Sequence, residues 1–164
     1  MPDDTVLEGA ETVIHQGGVV VKDLDQTVEF LTAPGLGPIT IRTATHPAAT
    51  AHGKKKFYEV RLALAQQGPV QPESIEYRQG QTIQKDFLDE KGEGLHHILF
   101  RVRDLETTIE KFARKGIKVL QRDHFVDGGG MAYMGTDAMG GIIMEVMQRP
   151  PDYDPEKGLQ YVSS

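Results

Sequence analysis

The sequence predicts an α+β domain built from two tandem βαβββ modules whose strands form one cupped sheet. Three observations predict it. The chain of 164 residues is the length of one compact domain, a single unit over 1–164. The stretch Gln16-Gly-Gly-Val-Val-Val-Lys-Asp-Leu-Asp-Gln-Thr-Val-Glu29 lies on His97-Ile-Leu-Phe-Arg-Val-Arg-Asp-Leu-Glu-Thr-Thr-Ile-Glu110 without a gap, and self-similarity of that length marks a duplicated unit. At the far ends of the modules, Ser74-Ile-Glu-Tyr77 corresponds to Ile143-Met-Glu-Val146, glutamate on glutamate. Module one spans about 14–80, module two about 95–148, and residues 149–164 form a tail.

After a loose lead-in over 1–12, residues 14–21 are β-branched and predict a strand. Asp23 stands at a helix N-cap position before Leu24, Val28, Phe30 and Leu31 at helical spacing. Pro34, Gly35, Gly37 and Pro38 end that helix. Strands follow at 39–45, 57–65 and 74–78, separated by a polar, basic loop or hairpin tip at 46–56 and a turn at 66–72. Residues 83–91 predict one or two helical turns, broken by Gly92 and Gly94. The second module repeats the order: a strand at 95–102, an Asp104 N-cap, a helix carrying Leu105, Ile109, Phe112 and Ala113, and Gly116 as its stop. Strands at 117–126, 131–134 and 142–147 complete it, with the glycines at 128–130 and 140–141 in the turns between them.

Composition narrows the chemistry. With no cysteine there are no disulfides, thiolate metal ligands or cysteine nucleophiles. A formal charge of -6 without a basic face argues against nucleic acid. No apolar run is long enough for a membrane span, and the acidic N-terminus lacks the features of a signal peptide, so a cytoplasmic protein is expected.

Side chains alternate across a strand. In the first strand Gly17, Val19 and Val21 share one face, and Gln16, Gly18, Val20 and Lys22 the other; in its counterpart Ile98, Phe100 and Val102 oppose His97, Leu99, Arg101 and Arg103. The first set of each suits burial under the helices, the second the wall of a cavity. Four polar residues then occupy matched strand positions: Gln16, Glu76, His97 and Glu145. Any one alone has an ordinary reading, a solvated strand glutamate or a hydrogen-bonded histidine. Together, with Glu145 flanked by apolar residues, they suit a divalent metal, because a buried carboxylate is costly unless paired or ligated. An N/O set of this kind suits zinc, cobalt, nickel or manganese.

The segments VVVKDLDQTVEF and ILFRVRDLETTIEKF, the GEGLHHI junction and the GGIIMEV strand resemble the glyoxalase-like (vicinal oxygen chelate) superfamily over most of 14–148. From about Phe87 onward the chain is especially similar to methylmalonyl-CoA epimerases. The resemblance implies two half-sheets around one metal, held by Gln16, Glu76, His97 and Glu145. It puts the first ligand on Gln16 rather than His15, as in zinc-type glyoxalase I; epimerases usually have histidine there. Epimerases also carry a further glutamate base in the second or third strand, and residues 39–56 have no acidic residue. His46, His52, Tyr58 and Glu59 are the replacements to consider. The family often forms dimers, so a homodimer is expected, with the tail available to pack on a partner.

The expected activity is proton abstraction next to a carbonyl by an epimerase or isomerase, on a small carbonyl compound or acyl-CoA thioester, with Glu145 and Glu76 as bases. The alternatives are a glyoxalase I-like lactoylglutathione lyase and a non-catalytic binding protein like those of bleomycin resistance. A ring-cleaving dioxygenase needs two histidines and a carboxylate, and only one histidine is in frame. Lys54, Lys55 and Lys56 are candidates for meeting CoA phosphates, against the commoner role of a solvated loop tip.

Overall fold

Asp23 and Asp104 each stand in extended conformation at a helix start. Their carboxylates accept from the backbone N–H three residues on, Gln26 at 2.9 Å and Thr107 at 2.7 Å, satisfying a donor the helix itself leaves free. The computed structural model in which they are seen describes residues 5–66, 68–138 and 140–163. Residues 1–4 of the lead-in, residue 67 in the 66–72 turn, residue 139 beside the paired glycines and residue 164 of the tail lie outside it.

The order is β1 (Ile14–Val21), α1 (Leu24–Thr32), β2 (Ile39–Ala51), β3 (Lys54–Ala65), β4 (Gln71–Gly80), α2 (Ile83–Lys91), β5 (Gly94–Arg101), α3 (Leu105–Arg114), β6 (Val119–His124), β7 (Gly130–Met134) and β8 (Ile143–Gln148). The strands close into a barrel in the order β1-β4-β3-β2-β6-β7-β8-β5. The expected cup is thus closed, though the closing contact is short: β2 meets β6 only at Thr50 and Ala51, opposite Arg122 and Gln121. β1 runs parallel to β4 and β5 parallel to β8, while β1 and β5 pair antiparallel between them.

The helices pack on the outside. Leu24 and Val28 of α1 meet Val19 and Val21 of β1 and Ala63 of β3. Leu105, Ile109 and Phe112 of α3 meet Ala132, Met134 and Val146. Burying each such large side chain contributes about 1.5–3 kcal/mol. The odd-numbered residues of β7 and β8 face inward, where Met131, Tyr133 and Ile143 pack with Ile83 and Phe125.

Two expectations are corrected. Residues 46–56 are not a loop: β2 runs on to Ala51 and β3 starts at Lys54, so His52 and Gly53 alone make the tip, both with positive φ. Small and polar residues there obscured a strand whose inner face carries buried His46 and Ala49. The last strand of the first half is longer than 74–78 and starts at Gln71, because it pairs on both sides, with β1 and β3. No described helix is long and apolar enough to cross a membrane.

Candidate active site

Inside the barrel, on the β4-β1-β5-β8 side, the imidazole of His97 is fully buried. Its Nε2 lies 3.0 Å from Glu145 Oε2 and 3.3 Å from Glu73 Oε2. Glu145 is 2 % and Glu73 8 % exposed. The ring is seated over Gly18: a Cβ at that position would fall 2.0 Å from His97 Cε1. Behind it, His97 Nδ1 is 3.0 Å from His96 Nδ1.

Electrostatics assigns the protons. Burial alone would push His97 down, but the Glu145 and Glu73 carboxylates outweigh it and raise its pKa to about 9. Burial, then the charge of His97, lowers His96 to about 3. His96 is therefore neutral and accepts from His97 Nδ1–H, which turns Nε2 toward the carboxylates. Burial pushes Glu145 up, and the neighbouring His97 partly offsets it.

Glu73 connects this centre to open space. It lines a cavity of about 980 Å³ together with Gln16, His15, Gln71, Leu99, Arg101 and Arg149. Gln16 Nε2 donates to Gln71 Oε1 at 2.8 Å, so the amide oxygen is the Gln16 atom that could ligate a metal. His15 sits at a bulge in the β1–β5 ladder and lines the cavity as well.

Of the predicted residues, His97 and Glu145 come together, Gln16 lines the adjoining cavity, and Glu76 is elsewhere. Glu76 lies on the other face of β4. Its Oε2 accepts from Leu24 N at 2.7 Å at the start of α1, and its Oε1 faces Arg78 at 2.9 Å and Arg61 at 3.7 Å. Its counterpart is Gln148, whose Oε1 accepts from Leu105 N at 2.9 Å at the start of α3. Glu73 in turn is the counterpart of Glu145: it pairs with the residue two beyond Gln16, as Glu145 pairs with the residue two beyond His97. The match of Glu76 to Glu145 is thus three residues out of register. Laying Glu73-Ser-Ile-Glu76 on Glu145-Val-Met-Gln148 preserves both the inward acid and the helix-capping group.

Among the described residues no group of three or more His, Asp or Glu side chains is placed to hold a metal ion; what the structure shows is an imidazole nitrogen between two buried carboxylates. By chemical type, an imidazole nitrogen and two carboxylates are donors that divalent ions take. Ligand atoms about 2.0–2.2 Å from a common metal stand roughly 3–3.4 Å from one another, the range of both contacts to His97.

Of the replacement bases, His46 and Tyr58 are buried and stacked at 4.0 Å. His46 Nδ1 is 2.7 Å from Asp123 Oδ2, and Tyr161 of the tail lies over its ring at 3.7 Å. His52 is exposed, and Glu59 accepts from Thr45 Oγ1 on the outer side of the hairpin.

A family model described as the Glyoxalase/Bleomycin resistance protein/Dioxygenase superfamily matches residues 15–134. No curated protein matches. Among solved structures, methylmalonyl-CoA epimerase from Mycobacterium tuberculosis superposes with a TM-score of 0.62 at 18 % identity, over 87 % of this chain and 91 % of that one. A Streptomyces coelicolor methylmalonyl-CoA epimerase variant in complex with 2-nitronate-propionyl-CoA gives 0.65 at 22 %, over 88 % and 99 %. A hypothetical protein from Bacillus halodurans gives 0.63 at 16 %, over 87 % and 97 %. At these identities the likeness is one of fold.

Proposed function

The chain belongs to the glyoxalase/bleomycin resistance protein/dioxygenase superfamily, and from that premise we propose that it is a divalent-metal-dependent epimerase or isomerase that moves a proton on the carbon next to a carbonyl, on an acyl thioester. The observation that carries the proposal is His97 Nε2, wholly buried, between the carboxylates of Glu73 and Glu145. Gln16, Glu73, His97 and Glu145 would hold the metal, one from each of the four strands β1, β4, β5 and β8. The equivalence of Glu73 with Glu145 and of Glu76 with Gln148 supports reading the two halves as tandem copies. The acyl-thioester class is taken from the epimerases that share the fold.

When bound, the ion supplies Lewis-acid polarisation of the carbonyl oxygen. Glu145 and Glu73 flank His97 from strands on opposite sides of the β1–β5 pair. One removes the proton and the other returns one to the opposite face, the arrangement that inversion at carbon requires. The apolar residues around Glu145 exclude water, which keeps its charge poorly solvated and its basicity available. His96 Nδ1, 3.0 Å from His97 Nδ1, would orient the His97 ring so that Nε2 faces the carboxylates.

The test is solvent exchange. In D₂O with added cobalt or zinc, methylmalonyl-CoA should take up one deuterium at its α-carbon, followed by mass spectrometry, with loss on chelation and recovery on metal return. The Gln, Glu, His, Glu donor set favours one second reading, a lyase acting on a glutathione hemithioacetal. Conversion of the methylglyoxal–glutathione adduct without exchange on the thioester would establish that reading instead.

A further inference from the structure

We propose that residues 150–162 are a strap that closes the barrel cavity, with Tyr161 as its stopper over His46, and that a ligand enters and leaves when the strap lifts from a latch at Arg42. This goes beyond the proposed function and holds for any small ligand of the same cavity.

The buried centre is shut off while the strap is down. His97 and Glu145 are buried and, unlike Glu73, do not line the cavity. A ligand group that is to reach them has to displace part of the wall. Barrel strands supply Gln16, Leu62 and Leu99 to that wall, and the strap supplies Tyr153, Leu159 and Tyr161. Tyr161 stands beside the centre as well. Its ring lies over His46 at 3.7 Å, and the charge of Glu145, after burial, pushes its hydroxyl up.

Of the wall, the strap is the most lightly attached part. Each barrel strand pairs with a neighbour on either side. Among the described residues the strap has two backbone hydrogen bonds to the barrel: Val126 N donates to Gln160 O at 2.9 Å, and Val162 N to His124 O at 3.0 Å. They flank the single bridge of Phe125 with Tyr161. Glu156 and Lys157 are exposed. Segments with few backbone bonds and little burial open before the rest of a fold. Midway along, Arg42 of β2 donates from Nη2 to the carbonyl oxygens of Pro155 and Glu156, a charge-assisted latch. Gly158 N donates to Asp154 O at 3.1 Å, so 154–158 is one turn that the latch holds as a unit. The guanidinium reaches it because Gly158 has no side chain: a Cβ there would fall 1.9 Å from Arg42 Nη1. The turn also needs φ +70° at that residue, which glycine adopts without strain.

Amide hydrogen exchange and carbethoxylation by diethyl pyrocarbonate test this on the purified protein with no ligand added. The Val126 and Val162 N–H groups should exchange at one common rate, at least about tenfold faster than the Val102 N–H, which donates to Met147 O inside the barrel frame. Arg42→Gln removes the charge of the latch, and Gly158→Ala displaces the guanidinium. Each should speed both strap amides by about tenfold and leave Val102 as it was. Burial outweighs Asp123 and lowers the pKa of His46, so its ring is neutral and reactive once uncovered. Its carbethoxylation, located by tandem mass spectrometry, should rise by the same factor, with exposed His52 unchanged as the reference. Strap amides as slow as Val102 in the unchanged protein would overturn the proposal, because the tail would then be a fixed part of the barrel. So would exchange unmoved in both variants, or faster exchange with His46 modified no faster. None of these readouts involves a metal or a thioester. Absence of deuterium uptake by methylmalonyl-CoA would end the proposed function and leave the strap standing; a fixed tail with uptake intact would do the reverse.

Discussion

Gly18 has no side chain because the ring of His97 occupies that space. One hydrogen in place of a methyl lets β1 and β5 hold their register at Gly18 and His97 while the imidazole lies across the strand. Gly18→Ala should therefore fold with a stability loss of about 1–3 kcal/mol from overpacking. Its metal affinity, measured against a competing chelator, should fall about 10- to 100-fold as the ring is pushed from its seat. Unchanged affinity would mean that the ring position is not what holds the metal. On the proposed function Glu145 would serve as both ligand and base. Glu145→Gln keeps an oxygen and the size, so the variant should retain part of its metal. It should lose proton exchange by about 10² or more, read by deuterium uptake at saturating metal. Near-normal exchange would pass the base role to Glu73 or His46.

Among the elements, β4 carries two glutamates with different work. Glu73 faces the cavity, and Glu76 caps α1 from the opposite face. Glu76→Gln keeps an acceptor but gives up the charge at the helix start; it should lower stability by about 0.5–1 kcal/mol in denaturant unfolding and leave metal binding as it was. The strands and helices around these residues were legible because their signals are local: β-branched runs, aspartate caps, glycine stops. β1 and α2 begin and end where the residues predict. The register between β4 and β8 was not legible. Flanking apolar residues made Ser74-Ile-Glu-Tyr77 match Ile143-Met-Glu-Val146, whereas the two halves correspond through partners distant in sequence, β1 for β4 and β5 for β8. The extension of β2 through His46 was hidden for the same reason, since Ala, Pro and Thr form a strand there only because β3 and β6 pair with it.

Across the whole molecule, the barrel joins four strands from each half, so the His97 centre depends on both. The tail folds back on this same chain rather than standing free: Val126 N donates to Gln160 O at 2.9 Å, Val162 N donates to His124 O at 3.0 Å, and Tyr161 closes over His46. No local sequence pattern marks that return, because it rests on backbone pairing and one aromatic ring. The barrel brings two carboxylates from distant strands to one imidazole, the place where the proposed metal would sit. The measurement that tests this most directly is metal content after loading and desalting, by elemental analysis, for the unchanged protein, His97→Ala, Glu73→Gln and Glu76→Gln. The expected result is about one ion per chain in the first and last, and a substoichiometric amount in His97→Ala and Glu73→Gln. No metal in the unchanged protein, or retention in Glu73→Gln with loss in Glu76→Gln, would contradict it.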